Sequence, residues 1–321
     1  MIKNINNNKI IMITHIADID GMGSLILAKK YYSNIDYILC EINELIEVFS
    51  SIDYSKYEII YVCDLALSKS ILDYLNKHPE ITNKIKHFDH HEIIENSPDY
   101  VNSIIYLNDK PTCGSQLFYN YLLTLDTKFN NKFYKTFVEA IREQDNFDFS
   151  DEEYNAKLLA FTHALIGPEE YINLICNLND NDDFKLPKIY EDLYKSDLKK
   201  QKEYIEFINK NLYITDYNGY KIGVTICEQY RSIVGNSICK LRPEIDFIII
   251  INFNRNRVSL RSVKESIDLN EIGKTFHPDG GGHKLSAGFL IDSKSIPKLK
   301  PFIDLYIENL TIYTFFTNKD I

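Results

Sequence analysis

KIIMITHIADIDG, residues 9–21, joins an apolar run to two aspartates set two positions apart and then to a glycine. A short apolar run of this kind suits a strand. The stretch from Ser24 to Tyr32 is helical in pattern, with Ser24 placed as its N-cap and Gly21 permitting the sharp turn before it. The alternation recurs in DYILCEI (36–42), in YEIIYVCDL (57–65) with a helix from Ser68 to about Lys77, and in KIKHFDHH (84–91). Short apolar strands separated by helices predict parallel pairing through crossovers, and so an α/β fold.

From about Lys132 to Asp183 the pattern turns mainly helical, with the polar NLNDNDD (177–183) as a loop. A charged helix follows from about Lys188 to Lys210, its apolar residues Ile189, Leu193, Leu198, Ile205 and Ile208 falling on one stripe. Strands return in NLYITDY, YKIGVTICE, DFIIIINF and RVSLRSV, then a glycine-rich turn and GFLI. The expected organisation is a parallel-sheet domain over 1–186, a connecting helix over 187–212, and a smaller mixed α/β domain over 213–321.

A chain of 321 residues, 45% of them hydrophobic, can bury a core of two domains. The net charge of −10 argues against a broad grip on duplex DNA, which needs a basic surface to neutralise many phosphates. A small phosphorylated ligand stays open, since a few local cations or bound metal ions suffice for a short anion. The cysteines Cys40, Cys63, Cys113, Cys176, Cys227 and Cys239 are scattered, with no zinc-like spacing, which suits a reducing, cytoplasmic setting. No segment approaches the ~20 apolar residues of a membrane span.

Metal-type ligands gather where the strand reading ends its strands. In Asp18-Ile19-Asp20 an extended backbone would aim both carboxylates to one side, each available to a different ion, although a solvated turn capping the next helix has the same pattern. Asp64 ends the apolar IIYVC, where a carboxylate is costly unless paired or metal-bound; capping the following turn is the plainer alternative. Adjacent residues on an extended chain face opposite ways, so His90 and His91 have different tasks: one as a ligand, the other toward a substrate. Asp89 stands where it can accept a ring N–H and fix a tautomer, whereas His87 reads as a surface histidine. Asp145 is preferred over Asp148 as a further oxygen ligand, against the ordinary reading of a charged helix face.

In the second half, Gly280, Gly281 and Gly282 lead into His283. Consecutive N–H groups without side chains would make an anion nest, to which His283 adds a donor. Arg261 and Ser262 end RVSLRS, where the guanidinium fork suits a phosphate; Arg231 is a second candidate, and Ser232 would cap the next helix.

The DxDG turn, the strand-ending aspartate, the DHH triplet and the later GGGH, in that order, resemble the DHH phosphoesterase superfamily with its DHH-associated C-terminal domain. The likeness runs from about Lys9 to about Leu290. It implies two lobes and two divalent ions, manganese above all. It implies that His15 and Asp18 bind one ion and Asp20 and His90 the other, with Asp64 bridging and Asp145 completing the second site. His91 would meet the scissile phosphate, and Arg261, Ser262, Gly280, Gly281, Gly282 and His283 the rest of the substrate. His15 stands three residues before Asp18, whereas many members have four, so its phase on the strand differs.

Within the superfamily, single-strand exonucleases add a nucleic-acid-binding domain, membrane-bound cyclic-dinucleotide phosphodiesterases add spans, and pyrophosphatases lack the GGGH loop. The resemblance therefore implies a compact oligoribonuclease-like phosphodiesterase, acting on short single-stranded oligonucleotides or nucleotides, off the membrane, with room for a homodimer. The alternatives are a cyclic (di)nucleotide phosphodiesterase or nucleotide phosphatase on the same ions, and a non-catalytic nucleotide-binding protein. Nitrogen ligands mixed with carboxylates favour manganese over magnesium or calcium.

Overall fold

The computed structural model describes residues 9–92, 94–146, 148–149 and 153–317. These fall into two compact units that divide between Tyr194 and Lys195.

The first unit is built on a four-stranded parallel sheet of β1 (Ile10–His15), β2 (Asp36–Cys40), β3 (Ile59–Cys63) and β4 (Ile85–Phe88), in the order β2-β1-β3-β4. Parallel neighbours need crossovers, supplied by α1 (Ile19–Tyr31), α2 (Leu45–Ser51), and the pair α3 (Lys69–Leu75) and α4 (Pro79–Thr82). The apolar strand runs are continuous because both faces are covered. Ile10, Met12, Tyr61 and Cys63 enter one core with residues of α1, of α5 (Gly114–Leu125), α6 (Lys132–Asn146), α7 (Glu153–Ile166) and α8 (Pro168–Cys176). Ile11, Ile13, Ile60 and Val62 enter the other, with Leu45 and Phe49 of α2 and Ile71, Leu72 and Leu75 of α3. A small hairpin, β5 (Tyr106–Leu107) and β6 (Lys110–Pro111), precedes α5.

From β1 the chain moves to β2 on one side and then to β3 on the other, so the strand order reverses between β1 and β3. In open α/β sheets the loops beyond the carboxyl ends of two such strands diverge and leave a crevice.

The division between units falls within α9 (Lys188–Lys210). The second unit holds a six-stranded sheet in the order β11-β12-β10-β9-β8-β7: β7 (Tyr213–Tyr217), β8 (Tyr220–Ile226), β9 (Phe247–Asn252), β10 (Arg257–Arg261), β11 (Gly281–His283) and β12 (Ser286–Leu290). Only β8 and β9 pair in parallel, through α10 (Arg231–Leu241). One face packs α11 (Leu269–Phe276) and α12 (Ile296–Thr317) through Leu269, Phe276, Leu299 and Phe302; the other packs Val234 and Ile238 of α10 on Ile248 and Ile250. The α/β class and the mixed second sheet agree with the sequence reading. Among the described residues no helix is long and apolar enough to cross a membrane.

Two local expectations are corrected. The first helix begins at Ile19, and its N-cap is Asp18, whose side chain accepts from the Asp20 and Gly21 amides; Ser24 lies inside it, fully buried. A carboxylate with two amides in reach outcompetes a later serine. At α10 the N-cap is Tyr230, in a left-handed conformation, and Ser232 lies within the helix.

Candidate active site

The site is assembled at the carboxyl ends of β1, β3 and β4. Because α1 starts at Ile19, Asp18 and Asp20 do not lie on one extended segment, and their carboxylates diverge. Asp18 turns its Oδ1 to the Asp20 and Gly21 amides, at 3.0 and 3.3 Å, and its Oδ2 to His15 Nδ1 at 3.2 Å. Asp20, in the first helical turn, is fully buried, with its oxygens taking the Gly114 amide at 2.6 Å and the Ser115 amide at 2.7 Å. Gly21 is required here: a Cβ would come within 2.0 Å of the His15 carbonyl oxygen, so only glycine lets α1 begin this close to β1.

Asp64 follows β3 with φ of 52°, and its amide donates to Phe88 O at 2.9 Å. This conformation is uncommon outside glycine, though aspartate tolerates it better than most. It sets the buried carboxylate between two imidazoles, Oδ2 at 3.5 Å from His15 Nδ1 and Oδ1 at 3.5 Å from His90 Nε2. His90 Nε2 is also 3.4 Å from Asp145 Oδ2 and 4.0 Å from Asp20 Oδ2. Asp148 stands apart, bonded at 2.8 Å to the buried Arg142.

The DHH residues do not keep the alternation of an extended chain: β4 ends at Phe88, and His90 and His91 both come close enough to Asp64 to share one ligand group. His91 gives its Nδ1 to Asp89 Oδ1 at 2.8 Å, and its ring lies against that of His90, centroids 4.5 Å apart. His87 corrects the sequence reading: it is 2% exposed, with Nε2 bonded to Leu65 O at 3.0 Å and Nδ1 accepting the Asn102 amide at 3.2 Å. An imidazole with one donor and one acceptor, both used by backbone, can be buried without charge.

The electrostatics record carboxylates crowded out of water. The Asp20 carboxyl is pushed well above its usual range, first by burial and then by the charges of Asp64 and Asp145. Burial is also the main cause for Asp145, raised to about 6. His15 is pushed up to about 11 by the neighbouring carboxylates of Asp18 and Asp64. At His90, burial pulls downward but is outweighed by Asp64, Asp145 and Asp20, leaving it near 9. His91 is raised chiefly by Asp89.

Asp64 Oδ2 and Asp145 Oδ2 are buried and accept no hydrogen bond, an expensive state for a carboxylate oxygen. Among the described residues, three overlapping groups offer ligand atoms within 4.8 Å of one another: His15, Asp18 and Asp64; Asp20, His90 and Asp145; and Asp64, His90 and His91. Orphaned anionic oxygens beside imidazole nitrogens fit divalent cations, and Asp64 appears in two of the groups.

In the second unit Arg261 ends β10, with Nη1 donating to Leu260 O at 2.8 Å and Nη2 to Ser232 Oγ at 3.2 Å. Burial and the neighbouring Arg231 and Arg257 hold its pKa below the usual guanidinium value. Two expectations change. The three glycines form no anion nest: the Gly280 amide donates to His277 O at 2.9 Å and the Gly282 amide to Asn270 Oδ1 at 3.1 Å. Gly281, Gly282 and the exposed His283 are instead edge strand β11 on β12. Ser262 is 3% exposed and its hydroxyl donates to Asp246 O at 2.7 Å, so it holds a turn and is not free for a ligand.

Sequence reasoning missed Gly114 and Ser115, which seat Asp20, and Glu41, whose Oε2 lies 3.2 Å from His15 Nε2. The only local signal was a Gly-Ser pair opening a helix.

No family model matches the chain. Among curated proteins it is similar to oligoribonuclease NrnB of Bacillus subtilis, 25% identical over 285 residues, which is 84% of this chain and 70% of that one. Among solved structures its fold is similar to exonuclease RecJ bound to manganese, with TM-score 0.59 and 14% identity over 93% of this chain and 90% of that one. It is also similar to the pGpG-specific phosphodiesterase PggH from Vibrio cholerae, with TM-score 0.54 and 14% identity over 94% of this chain and 99% of that one. With the ordered motifs, these likenesses place the chain among the phosphoester hydrolases. Within that class it resembles the oligoribonuclease-like DHH phosphoesterases.

Proposed function

We propose that this chain hydrolyses phosphodiester bonds of short oligonucleotides, using two divalent ions, manganese by preference, held by the first unit. The observation that carries the reading is Asp64, a buried carboxylate common to two ligand groups, with one oxygen toward His15 and the other toward His90. His15 and Asp18 would hold one ion, Asp20, His90 and Asp145 the other, and Asp64 both. Such a pair, when bound, neutralises phosphate charge and lowers the pKa of water.

The chain's own residues supply orientation. The Gly114 and Ser115 amides fix both oxygens of Asp20, and Asp18 is fixed by the helix it caps. Asp89 accepts the Nδ1–H of His91 and favours the protonated ring, whose Nε2–H can then donate to the scissile phosphate. In the second unit, Arg261, Arg231 and His283 are offered as contacts to a nucleotide. The substrate class is supported by the oligoribonuclease relative, and the acidic balance disfavours duplex DNA.

Chromatography of dinucleotides, five-mers, cyclic dinucleotides, cyclic AMP and pyrophosphate after incubation with manganese tests the reading. Mononucleotides released from the short linear chains are expected, with loss of release in EDTA. Faster turnover of pyrophosphate or cyclic AMP than of any oligonucleotide would replace the proposed substrate.

A further inference from the structure

Glu41 is the first residue beyond β2, and its carboxylate reaches the one site imidazole whose spacing in sequence is unusual. The parallel register pairs His15 with Cys40, and the Ile16 amide donates to Cys40 O at 3.2 Å, so the residue after Cys40 arrives beside the His15 ring. Its backbone is tied at both ends to Glu44: the Glu41 amide donates to Glu44 Oε2 at 2.9 Å, and Glu41 O accepts the Glu44 amide at 3.0 Å. A half-exposed side chain thus departs from a fixed backbone.

The two nitrogens of His15 face different company. Nδ1 is 3.2 Å from Asp18 Oδ2 and 3.5 Å from Asp64 Oδ2, two carboxylates of the proposed ion site. Nε2 is 3.2 Å from Glu41 Oε2, and Glu41 joins none of the ligand groups. A neutral imidazole carries its proton on one nitrogen and its lone pair on the other, and a carboxylate on the protonated side fixes which is which.

We infer that Glu41 is a positioning residue, which accepts the Nε2–H of His15 and so presents the Nδ1 lone pair to a divalent cation between Asp18 and Asp64. The inference rests on the metal reading above.

Calorimetric titration of manganese into the whole chain, wild type against E41A and E41Q, tests it. Wild type is expected to take two ions. E41A should weaken one of them by roughly 10–100-fold and leave the other, the scale found when a carboxylate behind a ligating histidine is removed. E41Q keeps a carbonyl acceptor and should recover most of that loss. Nitrogen NMR of zinc-loaded protein should find the His15 Nε2–H protected from exchange with water in wild type and E41Q, and exchanging fast in E41A. Unchanged melting temperatures of the metal-free variants would separate this from a folding defect. Wild-type affinity and Nε2–H protection in E41A would overturn the inference; a wild type that takes up no divalent ion would overturn the metal reading and this inference with it.

Discussion

The Gly114 amide donates to Asp20 Oδ2 at 2.6 Å, tying a carboxylate of the first helix to the start of a helix more than ninety positions later. A Cβ at Gly114 would lie 3.0 Å from Asp64 Cβ and 3.1 Å from Asp20 Oδ2. Gly114→Ala should therefore push apart two carboxylates that must stay together. The expectation is a destabilisation of about 1–3 kcal/mol, typical of overpacking, and a larger fractional loss of turnover, read by urea unfolding and by an oligonucleotide assay.

Asp64→Asn keeps a side chain tolerant of positive φ while removing the charge common to two ligand groups. The variant should fold, lose at least one manganese equivalent in equilibrium dialysis, and lose turnover by several orders of magnitude. Near-normal turnover would remove Asp64 from the bridging role.

Without metal, the crowded carboxylates oppose folding. Asp145 is raised to about 6, above the ordinary aspartate value of 3.8, first by burial and then by Asp64 and Asp18 against the pull of His90. A carboxyl raised on folding contributes stability at low pH that is lost as pH climbs through its folded pKa. In EDTA, Asp145→Asn should melt above wild type at pH 7.5, and the difference should vanish near pH 4.

His87 has the opposite sense. Burial lowers its pKa below 6.5, with Asp89 only partly opposing, so the native state prefers the neutral ring. Its contribution is complete above 6.5 and falls away as pH drops and the unfolded chain takes up the proton. His87→Gln, with one donor and one acceptor for Leu65 O and the Asn102 amide, should flatten the decline in urea midpoint between pH 7 and 5.

Arg261 is partly buried beside two other arginines, and among the described residues no carboxylate lies within ion-pair distance of it. Arg261→Ala should raise KM for oligonucleotides while leaving manganese stoichiometry unchanged. Lysine should not restore KM, since it lacks the planar fork. Loss of metal in either variant would show the arginine to be misassigned.

The alternation of apolar runs and helices revealed the parallel sheet, because strands buried on both faces cannot hide their composition. The strand-end acids were legible for the same reason: Asp64 interrupts a run where a charge is costly. The start of α1 was misread because Ser24 is a good cap in isolation, whereas Asp18 wins by reaching two amides. His87 was misread because its partners, Leu65 O and the Asn102 amide, are backbone groups remote in the chain. Glu41, Gly114 and Ser115 carry no local pattern that separates them from an ordinary turn or helix start; only the register of β1 with β2 and the packing of α1 on α5 bring them in.

Asp18 serves two masters: one oxygen closes the exposed amides of α1 while the other looks toward His15. Any cation drawn to the second oxygen therefore also braces the first, so chelation should be felt as fraying in the opening turn of that helix. Deuterium uptake at the Asp20 and Gly21 amides would then report occupancy of the centre without any substrate being turned over.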